Sequence, residues 1–234
     1  SEPIQEILYD LQMLESVKPV VKSFRSMIER PSSLQDPQPS FGTLTLKQIS
    51  KQLGESNLIV SSATIHKGDK IALIGDNGSG KSSLLNILNG TDEDFQGEIL
   101  LDSLSLNQLW GKFGMILQQE HTFISSYENN VTLFNTFEAD FQDEELEKIA
   151  PQSLSGGQQQ RMYLNREKNR KSPLLIMDEP FSALDASQFE LELKKVLDLP
   201  CAVIVTLHQQ HEALKNFDQV WEIKNGELFV LKDK

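Results

Sequence analysis

The sequence predicts an α/β fold in which helices cover a mostly parallel sheet. Three observations carry the prediction. Apolar runs at 70–74, 174–177 and 202–206 have the length of buried strands, and segments with helical spacing lie between them. The first run ends in a glycine-rich stretch, 75–80, that opens directly into a helical segment. The second run ends in Asp178 and Glu179, at the strand end where an open α/β sheet places its ligand site.

Composition narrows the classes. The chain has 234 residues and a net charge of −12, with 38% hydrophobic and 24% charged residues. That length gives roughly one to two domains with a full core. The apolar runs fall far short of the ~20 residues a membrane-spanning helix needs. A single cysteine, Cys201, excludes an internal disulfide and is read as a buried strand residue. The acidic balance argues against nucleic acid as a partner and against spontaneous docking on anionic lipid. The first residue is Ser1, which fits a fragment or trimmed chain, and no signal peptide is evident.

Residues 1–30 read as one amphipathic helix, with Ile4, Ile7, Leu8, Leu11, Leu14, Val17, Val21, Phe24 and Ile28 mostly three or four apart and Pro19 as a kink. The Pro/Ser/Gln stretch 31–40 reads as a linker. The expected division is therefore 1–40, helix and linker, and 41–234, the folded domain. Within the latter, 44–49 alternates as an edge or half-buried strand would. Strands are predicted at 70–74, 97–101, 114–117, 174–177 and 202–206, and helices at 81–88, 157–169 and 187–197. Asn225 and Gly226 split 220–223 from 227–231 as a terminal hairpin. Segment 119–153 carries eight acids against Lys148, together with Phe123, Tyr127, Phe134, Phe137 and Phe141. It reads either as a solvated acidic face over a small aromatic core or as a docking surface for a partner, with Tyr127 and Phe134 as contact positions.

The chemistry lies in three motifs. Gly75, Asp76, Asn77, Gly78, Ser79, Gly80, Lys81 and Ser82 match the P-loop pattern, followed by Ser83. Its glycines let backbone N–H groups curl around phosphates, and the helix start adds a positive dipole end. Lys81 supplies a point charge and Ser82 a Mg²⁺ ligand. Chance yields this pattern in roughly one chain in a hundred. Asp178 would hold Mg²⁺ through water, and Glu179, one residue on, can polarise an attacking water. Leu154, Ser155, Gly156, Gly157 and Gln158 form a far rarer string, on the order of one in several thousand chains. It exposes N–H groups at a helix start beside a hydroxyl, a second phosphate nest. Since one loop already serves the γ-phosphate, a second nest points to a nucleotide held by another chain.

These motifs, in this order, resemble the nucleotide-binding domain of an ATP-binding cassette (ABC) transporter over about residues 41–234. The resemblance implies a P-loop NTPase core with a mostly parallel sheet, an antiparallel β-subdomain and a short helical subdomain. It makes Leu154 to Gln158 the signature that acts in trans. Ser182, Ala183, Leu184 and Asp185, after Pro180 and Phe181, are similar to the family's D-loop. His208 matches the switch histidine, and Gln118 matches the Q-loop glutamine that joins Ser82 and Asp178 at the metal, with Gln119 as runner-up. His66, His121 and His211 read as surface or packing residues.

The implied activity is Mg²⁺-dependent ATP hydrolysis, with Glu179, His208, Gln118 and Lys81 as the catalytic set. The implied partners are a second nucleotide-binding domain, head-to-tail on ATP, and a transmembrane domain. Residues 1–40 look like the junction of an ABC exporter polypeptide, which places the domain on the cytoplasmic face of a membrane, the cell membrane in a bacterium. An unrelated packed helix is the other reading of 1–30. The alternative function is a soluble ABC-type ATPase not coupled to a membrane domain. A coiled-coil insertion or tandem cassettes, expected there, do not fit in 234 residues. A non-hydrolysing cassette is disfavoured by the complete set Lys81, Ser82, Asp178, Glu179 and His208, and a kinase or GTPase by the signature.

Three positions depart from the family pattern. Leu53 stands where a tyrosine usually stacks on adenine, which removes an aromatic platform. The interval 118–154 is short, so the helical subdomain is trimmed. Arg166, Glu167, Lys168, Asn169, Arg170 and Lys171 replace a largely apolar helix end, and that face is expected to be more exposed than usual.

Overall fold

The computed structural model describes residues 41–54, 56–105, 112–117, 121–182, 184–207 and 212–233. The expected helix and linker of 1–40 lie outside them, as do Gln118, Gln119, Glu120, Ala183, His208 and His211.

The strands are β1 (Thr43–Leu53), β2 (Ser56–His66), β3 (Lys70–Gly75), β4 (Gln96–Leu101), β5 (Leu104–Ser105), β6 (Gly114–Ile116), β7 (Leu174–Met177), β8 (Ala202–Thr206), β9 (Gln219–Lys224) and β10 (Glu227–Lys232). The helices are α1 (Lys81–Asn89), α2 (Tyr127–Thr132), α3 (Gly156–Arg170) and α4 (Ala186–Leu197). One sheet runs β5-β4-β1-β2-β10-β9-β3-β8-β7-β6. Strands β9, β3, β8, β7 and β6 pair parallel with one another in that order, and β10 pairs antiparallel with β9 as the expected terminal hairpin. Strands β5, β4, β1 and β2 pair antiparallel, and a single parallel register, Glu227 with Ile59, joins β2 to β10. The α/β reading with a parallel core and an antiparallel β-subdomain therefore holds.

The apolar runs are continuous because both faces of the central strands are covered. In β7, Leu174 and Ile176 join one core with α1 residues Leu84, Leu85, Ile87 and Leu88. Leu175 and Met177 join the opposite core with Met162, Tyr163 and Leu164 of α3 and Leu193 and Val196 of α4. Strand β8 alternates in the same way, Ala202 and Ile204 against Val203 and Val205.

Strand β1 is the half-buried strand of the two readings and not an edge: it lies between β4 and β2, with Leu44, Leu46 and Ile49 fully buried and Thr43, Thr45 and Lys47 on the other face. Strand β2 was not anticipated, because its alternation Leu58, Val60, Ala63, Ile65 is interrupted by the exposed pair Ser61 and Ser62. Cys201 sits just ahead of β8 and is half-buried, which pushes its thiol above the usual value.

The polar end of α3 is largely buried rather than exposed: Arg166 is 5%, Glu167 8% and Asn169 3% accessible, Lys168 and Arg170 are half-buried, and Lys171 just beyond the helix is exposed. Arg166 Nε donates to the Asn130 carbonyl at 2.8 Å, and its guanidinium lies 5.5 Å from the Phe123 ring and 5.2 Å from the Tyr163 ring. Asn169 Nδ2 donates to the carbonyls of Val131 and Phe141. The short helical subdomain is thus held to α3 by side-chain hydrogen bonds to its backbone, beside the apolar cluster of Tyr127, Val131 and Leu146 with Met162. Tyr127, expected at a docking surface, is buried, and its hydroxyl accepts from Asn165 Nδ2 at 3.0 Å. Phe134 at 54%, Ile124 at 93% and Phe141 at 44% are exposed apolar side chains of that region.

Candidate active site

The parallel strands bring their carboxyl ends to one edge. Leu73 of β3 is in register with Thr206 of β8, Val205 of β8 with Met177 of β7, and Met177 with Ile116 of β6. The segments that leave these strands are therefore neighbours: the glycine loop after β3, Leu207 after β8, Asp178 and Glu179 after β7, and Leu117 after β6.

The loop geometry depends on glycine at two points. Gly75 has φ 148°, and a Cβ there would lie 2.5 Å from the Ile223 carbonyl oxygen. Gly80, at φ 109°, is the N-cap of α1 and supplies no side-chain acceptor. The first N–H groups of α1 consequently have no partner within the helix and face outward with the positive end of its dipole. A Cβ on Gly80 would lie 3.2 Å from Leu53 Cδ1, so Leu53 packs against the loop although it is far away in sequence. Lys81 is buried, and its ammonium donates to the Gly75 carbonyl at 2.8 Å and the Asp76 carbonyl at 3.0 Å. Asp76, Asn77, Gly78 and Ser82 are exposed, and Ser79 and Ser83 are half-buried. The Ser79 Oγ is buried without a hydrogen-bond partner.

A run of unpaired helix N–H groups, one buried ammonium and an unpartnered hydroxyl fit a chain of phosphates. Among the described residues no three His, Cys, Asp or Glu side chains are placed to hold a metal by themselves. An alcohol from Ser82 and a carboxylate from Asp178, completed by phosphate oxygens, are the hard donors that suit Mg²⁺.

Across the edge, Asp178 and Glu179 are half-buried. The Asp178 N–H donates to the Ile116 carbonyl at 2.9 Å. Glu179 has φ 47°, a left-handed conformation that costs a non-glycine residue about 1–3 kcal/mol and persists only where its surroundings impose it. Thr206 was not singled out from the sequence as a site residue, yet its hydroxyl bonds both acids. The only sequence signal is a hydroxyl at the end of the apolar run 202–206.

The signature builds a capped helix start. The Ser155 hydroxyl accepts from the Gln158 N–H, and the Gln158 side chain accepts from the Ser155 N–H at 2.9 Å. Leu154 is buried, Ser155 and Gly156 are exposed, and Gly157 and Gln158 are half-exposed. A Cβ on Gly157 would meet Leu184 Cδ2 at 3.6 Å, which sets the D-loop beside the signature. Asp185 caps α4, and hydrogen bonds from the Gln188 N–H and the Ser187 hydroxyl hold its carboxyl below the usual carboxylate range. Ser182 is exposed. Among the described residues no hydrogen bond joins the signature to the glycine loop of the same chain.

Residues 59–182 match the family model described as ABC transporter. The chain belongs to the ABC transporter family. It is 35% identical to the thiamine import ATP-binding protein ThiQ of Histophilus somni over 187 residues, 70% of this chain and 87% of that protein. It is 32% identical to the ATP-dependent lipid A-core flippase of Haemophilus influenzae over 224 residues, 82% of this chain but 38% of the flippase. In fold it is similar to a nucleotide-free ATP-binding cassette from an ABC transporter, with a TM-score of 0.67 at 19% identity, covering 82% of this chain and 91% of that one. This ABC chain is an ATP-binding and ATP-hydrolysing domain, of the kind that works with membrane-embedded transporter partners. Its relatives include proteins named for import and, in the macrolide export ATP-binding/permease protein MacB of Mannheimia succiniciproducens (30% identical), for export. No described helix is long and apolar enough to cross a membrane.

Proposed function

We propose that this ABC domain hydrolyses Mg²⁺-bound ATP as half of a head-to-tail pair and that it powers export by a membrane domain of the same polypeptide. The observation that carries the reading is the shared sheet edge on which the glycine loop, Lys81, Asp178 and Glu179 meet, with no hydrogen bond among the described residues from that loop to the signature of the same chain. Residues 75–83 would bind the triphosphate, with Lys81 and the loop N–H groups stabilising charge that develops on the transferred group. Ser82, Asp178 and Gln118 would hold Mg²⁺, whose charge offsets that of the phosphate oxygens. Glu179 accepts a proton from the attacking water. Ser155 and Gly157 of a second copy face the γ-phosphate, the D-loop Ser182, Ala183, Leu184 and Asp185 borders that contact, and His208 senses the γ-phosphate.

Export is supported by the amphipathic pattern of 1–30, by the linker 31–40, and by the wider coverage of this chain in the flippase match. Sequencing the gene ahead of Ser1 tests it: six apolar spans in the same reading frame are expected. An adjacent gene encoding a separate membrane subunit would instead place the domain with stand-alone ATP-binding subunits. The ATPase reading itself is tested by phosphate release from the purified chain with Mg²⁺ and ATP.

The membrane domain is expected to seat its short cytosolic helices on Ile124 and Phe134, exposed side chains beside the Phe123 ring, which meets Phe134 edge-on at 5.4 Å. Cysteines at these two positions in the complete transporter should cross-link to cytosolic helices of the membrane domain. Cross-links only from distant surfaces would leave the region a solvated face.

Leu53 has a consequence for base selectivity. An aliphatic side chain against the loop offers little stacking, whereas phosphate contacts are charge-assisted and indifferent to the base. ATP and GTP are expected to bind within about tenfold of each other, under ~1.4 kcal/mol. Leu53→Tyr should tighten ATP more than free triphosphate. Titration with all three ligands checks this, and a hundredfold preference for ATP in the native chain would contradict it.

A further inference from the structure

We propose that Thr206 is a positioning residue for hydrolysis, which orients Asp178 and Glu179 together through one hydroxyl. Thr206 is the last residue of β8 and is 2% accessible. The four residues before it, Ala202, Val203, Ile204 and Val205, are apolar and buried. A hydroxyl in that setting is unfavourable unless it is hydrogen-bonded, and valine would fill the same volume without the penalty. Here both of its capacities are used on the two acids. Thr206 Oγ1 accepts from the Glu179 N–H at 2.5 Å and donates to Asp178 Oδ1 at 3.0 Å.

The geometry gives the hydroxyl one orientation. With an N–H directed at its oxygen, its single proton goes to Asp178, and that bond is strengthened by the carboxylate charge. One Asp178 oxygen is thereby fixed, which sets the carboxylate plane and leaves the second oxygen for other partners. The bond to the Glu179 N–H acts on the backbone. Glu179 is left-handed at φ 47°, and three bonds bracket it: Asp178 N–H to the Ile116 carbonyl, Glu179 N–H to Thr206, and Ser182 N–H to the Glu179 carbonyl at 3.3 Å. Only the middle one comes from a side chain. Removing it takes away one of the restraints on a left-handed residue and favours a shift toward the ordinary right-handed region, which re-aims the Glu179 side chain. Thr206 touches neither water nor nucleotide in this scheme, so it acts through the acids.

The inference rests on the reading of Asp178 as a metal residue and Glu179 as the water base. Thr206→Val and Thr206→Ser in the full chain test it. Thr206→Val should bind a fluorescent ATP analogue without Mg²⁺ within threefold of the native chain and keep KM for ATP within threefold. Its kcat should fall at least thirtyfold, and the Mg²⁺ concentration for half-maximal activity should rise at least fivefold. Thr206→Ser, which keeps the hydroxyl, should recover kcat to within threefold. Thr206→Ala removes the same hydroxyl without the second methyl beside the acids and carries the test where the valine variant does not fold. Native kcat in the hydroxyl-free variant overturns the proposal, as does an unmoved Mg²⁺ midpoint or a serine variant as impaired as valine. Glu179→Gln measured alongside separates the two levels: full activity there defeats the underlying reading. An inactive Glu179→Gln with an active Thr206→Val defeats the role of Thr206 alone.

Discussion

Glu179→Gln is expected to keep nucleotide binding and to lose hydrolysis by about 10²–10⁴-fold, the range general-base catalysis supplies. The amide is nearly the size of the carboxylate and keeps the backbone N–H that bonds Thr206, so the bracketed left-handed turn survives. What it loses is the capacity to take a proton from water. The glycine loop and Lys81 leave from a different strand and do not touch this change, so affinity for ATP should stay within a few fold. A pair of chains that closes on ATP and cannot hydrolyse it should persist, which size-exclusion chromatography with ATP detects as a dimer. Phosphate release at the native rate would remove Glu179 from the proposed mechanism.

Arg166→Leu is expected to have the largest effect on stability, about 3 kcal/mol. The guanidinium is buried between the Phe123 and Tyr163 rings and donates to the carbonyls of Asn130 and His121, the latter at 3.2 Å. Leucine replaces part of the packing but leaves buried acceptors without a donor, at about 1–3 kcal/mol each, and removes a cation–π contact of about 0.5–2 kcal/mol. Asn130 in turn bridges the N–H and carbonyl of Phe123 through its side chain, so the loss spreads to the segment that leads from β6 into α2. Urea unfolding of the purified domain measures the change. Arg166→Lys, which keeps the charge but not the planar fork, should recover less than half of it. A loss under about 1 kcal/mol in the leucine variant would mean that other contacts hold the helical subdomain to α3.

Much of the fold and the site was legible in the residues because the signals are local. Runs 70–74, 174–177 and 202–206 are apolar at every or nearly every position because they are covered on both faces, and their lengths separate them from helices. The glycine loop is written in its own backbone demands: Gly75 and Gly80 both take φ values that favour glycine. The helix starts expected at 157 and 187 fall one residue after those of α3 and α4, whose N-caps in the structure are Ser155 and Asp185. The interrupted alternation of β2 hid a strand that its partners make plain, since β1 supplies hydrogen bonds whatever the side chains at Ser61 and Ser62 do.

The sequence by itself determined the buried strands β3, β7 and β8, the helices α1, α3 and α4, the glycine loop and the acid pair, because each depends on conformational preferences within a few residues. Tertiary structure alone decided what the isolated polar side chains do. A hydroxyl after an apolar run is ambiguous until Asp178, 28 residues away in the chain, accepts its proton. A run of charged residues on α3 reads as a solvated face until the Asn130 carbonyl, 36 residues away, takes up the Arg166 guanidinium. Burial of a polar group is favourable or ruinous according to whether a partner meets it, and those partners come from other strands and helices.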